Sequence, residues 1–310
     1  MPSRTTLLFL VLCVIWGTTW IGIKAGVEAV PPLLFAGTRF IAAGVLLLGF
    51  STWREGWPRL AWRDLPRLAA TSLLMITLCY AALFWGVAHV DSGTAAVLEM
   101  SLTPIALMAF ALGLREESFD RRRLGALVLG VAGLAILFGP TALRNWSVTA
   151  GDGAGPRLAG AAAVSWAAVV YGWGSVVARP LLWLYSSTFV AAVTTLFGGL
   201  LLLGLSLAGE PGAIPALAGQ WGAAAWAGWL FLVLFGSLIG YTIYMTLLRE
   251  IGATRAGTYA FVSPIIAVLL GMVCFGEQIH LLDMLGMAVM LAGAGLAMAE
   301  PKPRLKPATN

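Results

Sequence analysis

The sequence predicts an all-α integral membrane protein with ten transmembrane helices, arranged as two inverted five-helix repeats around a central cavity. Three observations lead to this prediction: the apolar composition, the length of the apolar stretches, and a set of motifs that occurs twice. Of the 310 residues, 60% are hydrophobic and only 11% are charged. Lipid-facing helices need such a composition, whereas a soluble domain of this size does not.

Ten apolar stretches are long enough to cross a bilayer, which takes about 20 residues of α-helix. We expect them to be helical because a backbone in lipid must satisfy its own hydrogen bonds. Many of the 37 glycines fall within these stretches, where small residues let helices pack closely. The expected spans are residues 6–23, 32–52, 66–88, 93–113, 122–139, 157–177, 183–207, 223–247, 254–275 and 281–299.

The second half of the chain repeats the motifs of the first half. Residues 80–90 read YAALFWGVAHV, residues 241–251 read YTIYMTLLREI, and each segment leads into a span that contains a proline. A constant offset indicates an internal duplication. With five spans in each half, the second half enters the membrane from the opposite side, so the repeat is expected to be inverted. The offset is 160 or 161 positions in three pairs: Tyr80 and Tyr241, Pro104 and Pro264, and Glu117 and Glu277.

The duplication divides the chain at a polar, glycine-containing linker. We predict a first repeat at residues 1–140, an extracytoplasmic linker at 141–156, a second repeat at 157–300 and a cytoplasmic tail at 301–310. With ten spans, both termini lie on the same side of the membrane. Of the 19 Lys and Arg residues, 15, including Arg179, fall on that side and 3 on the other. The positive-inside rule then places both termini in the cytoplasm, and the net charge of +5 indicates membrane orientation rather than a nucleic-acid partner.

The sequence lacks the residue clusters that are typical of several other protein classes. It has no phosphate-binding P-loop, and its two histidines and three cysteines form no metal-spaced or catalytic cluster. Cys13, Cys79 and Cys274 lie within spans, where we expect apolar core residues rather than a disulfide framework. We therefore predict no enzymatic activity, no cofactor and no metal site.

Taken together, the motifs resemble those of the EamA family of the drug/metabolite transporter superfamily. The resemblance rests on the sequence VIWGTTW around Trp16, on Pro32 and Arg39-Phe40 in the second span, and on a proline in the fourth and ninth spans followed by Glu-Glu or Gly-Glu. It implies a basket of ten helices. The cavity would be lined largely by spans 1, 3, 4, 6, 8 and 9, and spans 5 and 10 would be peripheral.

The resemblance also implies a function. We expect a secondary transporter of a bacterial-type inner membrane that exports small amphipathic metabolites, such as amino acids or drug-like compounds. It would work by alternating access at a midplane cavity. Its partners would be the small-molecule substrate, the lipid bilayer and, if transport is coupled, protons. A membrane partner or scaffold protein without transport activity is the alternative.

Two charged residues inside spans are candidates for the chemistry. Glu99 lies in the fourth span, where an ionised carboxylate is costly unless it is paired, hydrated or protonated. It is therefore a proton-coupling candidate, and the alternative is a structural hydrogen-bonding group. Thr103 lies four residues further on, on the same helix face, and Tyr259 is the repeat partner of Glu99. Arg39 could hold a substrate carboxylate, pair with Glu99, or bind backbone carbonyls.

Aromatic residues away from the span ends are candidates for lining the cavity, where they would suit flat apolar or cationic solutes. Pro104 and Pro264 each remove a backbone hydrogen bond and are expected to form a kink or gate. Glu117 and Glu277 are expected either to cap the helix that follows each of them or to form the turn before it. The predicted substrate-binding residues are Trp16, Trp20, Arg39, Tyr80, Phe84, Glu99, Thr103, Trp166, Tyr171, Tyr241, Tyr244 and Tyr259.

Overall fold

The computed structural model describes residues 3–90, 92–148, 154–275 and 280–299. This part of the chain contains ten helices that are long and apolar enough to cross a membrane, and they confirm the predicted all-α class. They are α1 (Arg4–Val27), α2 (Pro32–Glu55), α3 (Trp62–Val87), α4 (Ser92–Gly113), α5 (Arg121–Val148), α6 (Ala154–Leu184), α7 (Ser187–Gly209), α8 (Ala223–Ile251), α9 (Ala253–Ala256 and Tyr259–Phe275) and α10 (Leu281–Met298).

Two helices extend well beyond the apolar stretches that predicted them. The helix α5 continues through Val148, so the first residues of the expected linker are helical. The helix α6 continues to Leu184 and includes Arg179, which the charge count had placed in a loop. That placement was wrong, because Arg179 is 8% exposed and has protein partners inside the bundle. Residues 154–156, at the end of the expected linker, belong to α6. Residues 149–153 and the tail at 301–310 lie outside the described residues.

Close helix crossings show the inverted repeat in three dimensions. A Cβ atom placed on Gly17 of α1 would lie 2.8 Å from Cβ of Ile266 in α9. A Cβ atom on Gly172 of α6 would lie 2.7 Å from Cβ of Ala106 in α4. Ile266 and Ala106 are 160 positions apart, as are the two prolines. The first helix of each half therefore packs against the fourth helix of the other half, as an inverted repeat requires.

Glycines also bring together two further pairs of helices. The helices α2 and α7 touch where a Cβ atom on Gly44 would lie 2.6 Å from the backbone nitrogen of Leu196. The helices α5 and α10 touch where a Cβ atom on Gly133 would lie 2.7 Å from the carbonyl oxygen of Gly286. The α5–α10 pair contributes none of the described residues that line the cavity, which fits its expected peripheral position.

Two corresponding helices depart from regular α-helical geometry. A π-helical stretch covers Leu73–Leu78 in α3, and another covers Leu232–Tyr241 in α8. They occupy matching positions of the two repeats, next to Tyr80 and Tyr241. Because each π-helical hydrogen bond spans five residues instead of four, it changes the direction of the side chains that follow. The two stretches therefore help to set the orientation of these tyrosines.

Candidate functional site

A cavity of about 390 Å³ lies between the two halves. Its wall is built by α1, α2, α3 and α4 from the first half and by α6, α8 and α9 from the second. Apart from α2, these are the helices that the resemblance implied. The lining residues are Trp16, Thr19, Ile23, Val27, Pro32, Arg39, Phe40, Cys79, Tyr80, Leu83, Phe84, Val87, Ala88, Glu99, Met100, Tyr171, Gly236, Ser237, Tyr241, Tyr259 and Ser263.

The predicted substrate-binding residues are found in different places. Tyr244 is fully buried below the cavity, and Thr103 is buried outside its wall. Trp20 lies in α1, and its side chain is outside the described part of the structure. Pro104 and Pro264 lie inside α4 and α9. Eight predicted residues line the cavity: Trp16, Arg39, Tyr80, Phe84, Glu99, Tyr171, Tyr241 and Tyr259.

Trp166 does not belong to this cavity, and its prediction was wrong. Its side chain is 54% exposed on the outer surface of α6. Trp166 precedes Tyr171 by five residues, which places it about 140° around the helix from the cavity-lining tyrosine. The helix is apolar on both faces, so the sequence did not indicate which aromatic ring points inward.

Four aromatic rings form the floor of the cavity. The Trp16 ring lies 4.6 Å from that of Tyr259 and 5.1 Å from that of Tyr244. The Tyr244 ring stacks on Tyr171 at 5.6 Å, and its hydroxyl donates a hydrogen bond to Ser175 at 2.9 Å. These rings come from α1, α6, α8 and α9, so both repeats contribute. Each such pair adds about 0.5–1.5 kcal/mol beyond the effect of burial, and together they close the cavity toward the end of the bundle where α1 begins and α10 ends.

The cavity opens at the opposite end of the bundle. Its wall there is formed by Val27, Pro32, Val87 and Ala88, which lie at the ends of α1, α2 and α3, and Ala88 is exposed. A solute could therefore enter from this end, which we call the mouth, and would be stopped by the aromatic floor.

Arg39 places a positive charge in the wall. It is 4% exposed, and its guanidinium carbon lies 4.4 Å from the centroid of the Phe40 ring and 5.3 Å from that of Tyr80. Such cation–π contacts contribute about 0.5–2 kcal/mol. In the described part of the chain no ion pair joins Arg39 to Glu99, and Nε of Arg39 is buried without a hydrogen-bond partner. The charge of Arg39 thus has aromatic neighbours and no ion pair with Glu99 in the described part of the chain.

Glu99 and Ser263 also have buried polar atoms in the wall. Glu99 Oε2 and Ser263 Oγ find no hydrogen-bond partner among the described residues. A buried polar atom without a partner typically costs about 1–3 kcal/mol. Polar groups of a bound solute, or water, would remove this cost. The cavity thus combines aromatic surfaces with a cation, a carboxyl group and a hydroxyl group.

Sequence reasoning missed Ser263 and Ser237 of the wall. Ser263 lies 160 positions after Thr103, so the repeat offset could have identified it. Ser237 lies in the π-helical stretch of α8, and no sequence signal of that stretch pointed to it.

Glu117 lies beyond the floor, at the closed end, and does not cap the helix that follows it. Its Oε1 accepts hydrogen bonds from the backbone N–H groups of Ala253 at 2.5 Å and Thr254 at 3.3 Å. Glu117 therefore caps α9, while Asp120 accepts a bond from the N–H of Arg122 at the start of α5. The predicted cap was wrong because the partner is 136 positions away in the chain. Glu277 lies outside the described residues.

Known proteins are similar to this chain in sequence or in fold. The uncharacterized inner membrane transporter YedA of Escherichia coli (strain K12) is 32% identical over 307 residues, covering 96% of this chain and 92% of YedA. The uncharacterized transporter YvbV of Bacillus subtilis (strain 168) is 28% identical over 301 residues, covering 97% and 93%. One solved crystal structure superimposes with a TM-score of 0.77 at 19% identity, covering 96% of this chain and 97% of that chain, and shows the same fold.

The sequence profile of the EamA-like transporter family matches this chain twice. The matches cover residues 3–139 and 158–299, which correspond to the two five-helix halves described above. Each half thus matches the transporter family, and the cavity lies between helices of both halves. The chain is a multi-pass membrane transporter that belongs to the EamA-like transporter family of the drug/metabolite transporter superfamily.

Proposed function

We propose that this chain is a secondary transporter of a bacterial-type inner membrane that exports small amphipathic metabolites by alternating access. One observation carries the proposal: the cavity between the inverted repeats is open at one end and closed at the other by the floor of Trp16, Tyr171, Tyr244 and Tyr259. Inverted repeats allow such a site to open alternately to either side of the membrane.

The chemistry of the wall supports a small solute with one polar end and an apolar body. A volume of about 390 Å³ is within the range of sites for small ligands. Arg39 would bind a carboxylate of the solute, since its guanidinium is held by the Phe40 and Tyr80 rings and its Nε is unpartnered. The aromatic rings would pack against the apolar body. Amino acids and drug-like compounds have this combination of groups.

The charge distribution indicates which side the cavity faces. If both termini are cytoplasmic, as the excess of basic residues on their side predicts, the mouth of the cavity faces the outside. An exporter releases its substrate from this conformation and an importer binds its substrate in it, so the direction of export rests on the family resemblance. Glu99 would couple release to protons by exchanging a proton for the solute in the cavity.

A flux assay tests the proposal. Proteoliposomes that contain the purified protein are loaded with the standard amino acids or with ethidium, and counterflow of the labelled compound is measured. We expect saturable flux of at least one compound, which the surface variant Trp166→Phe leaves unchanged. Arg39→Gln should abolish the flux of any compound that carries a carboxylate. Folded protein without flux of any of these compounds would favour the alternative, a membrane partner without transport activity.

A further inference from the structure

We propose that Glu117 is a latch: it holds the start of α9 at the closed end of the bundle and must release before the cavity can open there. This proposal rests on the alternating access proposed above, and it names the residue that keeps the cavity closed on one side of the membrane. It follows from four features of the closed end, which are the partners of Glu117, the partners of Arg179, the link to the floor, and the turn at Gly252.

Both carboxylate oxygens of Glu117 are engaged. Oε2 accepts a hydrogen bond from Nη1 of Arg123 at 2.6 Å, and Oε1 accepts the two backbone bonds at the start of α9. The Glu117 side chain is only 7% exposed. Charge-assisted hydrogen bonds shielded from water are stronger than surface ion pairs. The carboxylate therefore ties α9 of the second half to α5 of the first half.

Arg179 of α6 joins α8 to the loop that carries Glu117. Its Nε donates to the carbonyl oxygen of Leu248 in α8 at 3.2 Å, and its Nη1 donates to the carbonyl oxygen of Glu116 at 3.1 Å. The same Nη1 lies 3.8 Å from Oε1 of Glu117. One guanidinium thus joins α6, α8 and the loop that carries Glu117.

The latch and the aromatic floor lie one after the other along α6 and α8, and both help to close this end of the cavity. On α6, Tyr171, Ser175 and Arg179 follow one another at intervals of four residues, so they share a helix face. On α8, Tyr244 of the floor precedes Leu248 of the latch by the same interval. The latch and the floor thus involve the same two helices, so a movement of α6 and α8 that opens the floor also moves the partners of Arg179 and Glu117.

The turn before α9 has a shape that suits the carboxylate. Gly252 has a φ angle of 84°, a left-handed conformation that favours glycine. A Cβ atom at this position would collide with Oε1 of Glu117. The backbone therefore leaves room for the carboxylate and directs two N–H groups at it.

Accessibility of the native Cys79 tests the latch. Cys79 lines the cavity, and substituting Cys13 and Cys274 by alanine leaves it as the single thiol. An impermeant maleimide is applied to right-side-out and inside-out vesicles, and the ratio of labelling from the two sides is measured. Glu117→Gln should shift this ratio about tenfold or more toward the side of the chain termini. Glu55→Gln is the matched control, because it removes an exposed carboxylate at the end of α2, on the same side of the bundle, and it should leave the ratio unchanged.

An unchanged ratio in folded Glu117→Gln protein would overturn the latch. If this variant does not fold, Arg123→Gln replaces it, because it removes one partner and keeps the backbone bonds to α9. It should shift the ratio in the same direction by less, and an unshifted ratio would again overturn the proposal. Labelling does not require a known substrate, so a shifted ratio without any flux would contradict the transport function and leave the latch intact.

Discussion

Tyr259 follows Glu99 by 160 positions, and both side chains line the same cavity from corresponding sites of the two repeats. One half contributes a carboxyl group from α4, and the other contributes a phenol from α9. The backbone architecture is therefore repeated while the chemistry is not. Opening of the cavity can depend equally on both halves. Glu99, the candidate for proton exchange, belongs to the first half alone.

Replacing Glu99 by glutamine should separate coupling from binding. Glu99→Gln keeps the shape of the side chain and removes its ability to exchange a proton. We expect loss of flux driven by a pH gradient, with counterflow of the same substrate retained. Both fluxes are measured in proteoliposomes, with Trp166→Phe as a surface control. A variant with the wild-type rate and pH dependence would show that Glu99 is a structural hydrogen-bonding group.

Arg39→Lys should weaken binding even though the positive charge is kept. A lysine ammonium cannot reproduce the planar contact with the Phe40 and Tyr80 rings or offer the same fork of donors to a carboxylate. We expect the apparent affinity for a carboxylate-bearing substrate to fall about tenfold or more. Equal affinities of wild type and variant in a concentration series of counterflow would place the substrate carboxylate elsewhere.

Gly172→Leu should destabilise the fold at the crossing of α6 with α4. A side chain there would meet Cβ of Ala106 at 2.7 Å and the backbone nitrogen of Leu107 at 3.0 Å, and overpacking of this kind typically costs about 1–3 kcal/mol. Thermal unfolding in detergent should show a lower Tm. Gly204→Leu is the matched control, since no atom lies within 4 Å of the added Cβ in α7. Similar Tm values for the two variants would contradict the close crossing.

Membrane orientation can be tested at two exposed positions. Leu143 is 72% exposed near the end of α5, and Glu55 is exposed at the end of α2. If the termini are cytoplasmic, Leu143→Cys in a background without native cysteines should react with an impermeant thiol reagent in intact cells. Glu55→Cys should react only after the cells are opened. The reverse labelling pattern would show the opposite membrane orientation, with the mouth of the cavity facing the cytoplasm.

The parts of this protein that sequence reasoning predicted are those with signals along the chain itself. Ten spans follow from apolar length, and two halves follow from a constant offset. The errors concern the direction in which side chains point and contacts between residues that are far apart in the chain. Trp166 was misplaced because α6 is apolar on opposite faces, and Arg179 was placed in a loop because its burial depends on partners in another segment. The role of Glu117 depends on N–H groups 136 and 137 positions away, which no local pattern indicates.

The matching π-helical stretches Leu73–Leu78 and Leu232–Tyr241 constrain how the chain can diverge during evolution. A π turn accommodates one residue more than an α turn does, so deleting a residue there would restore a regular helix. A deletion in a regular α-helical part of α3 or α8 before the tyrosine would instead rotate the residues that follow by about 100° and turn Tyr80 or Tyr241 out of the cavity wall. Single-residue changes of length in α3 and α8 should therefore be confined to these two segments among functional descendants of this sequence.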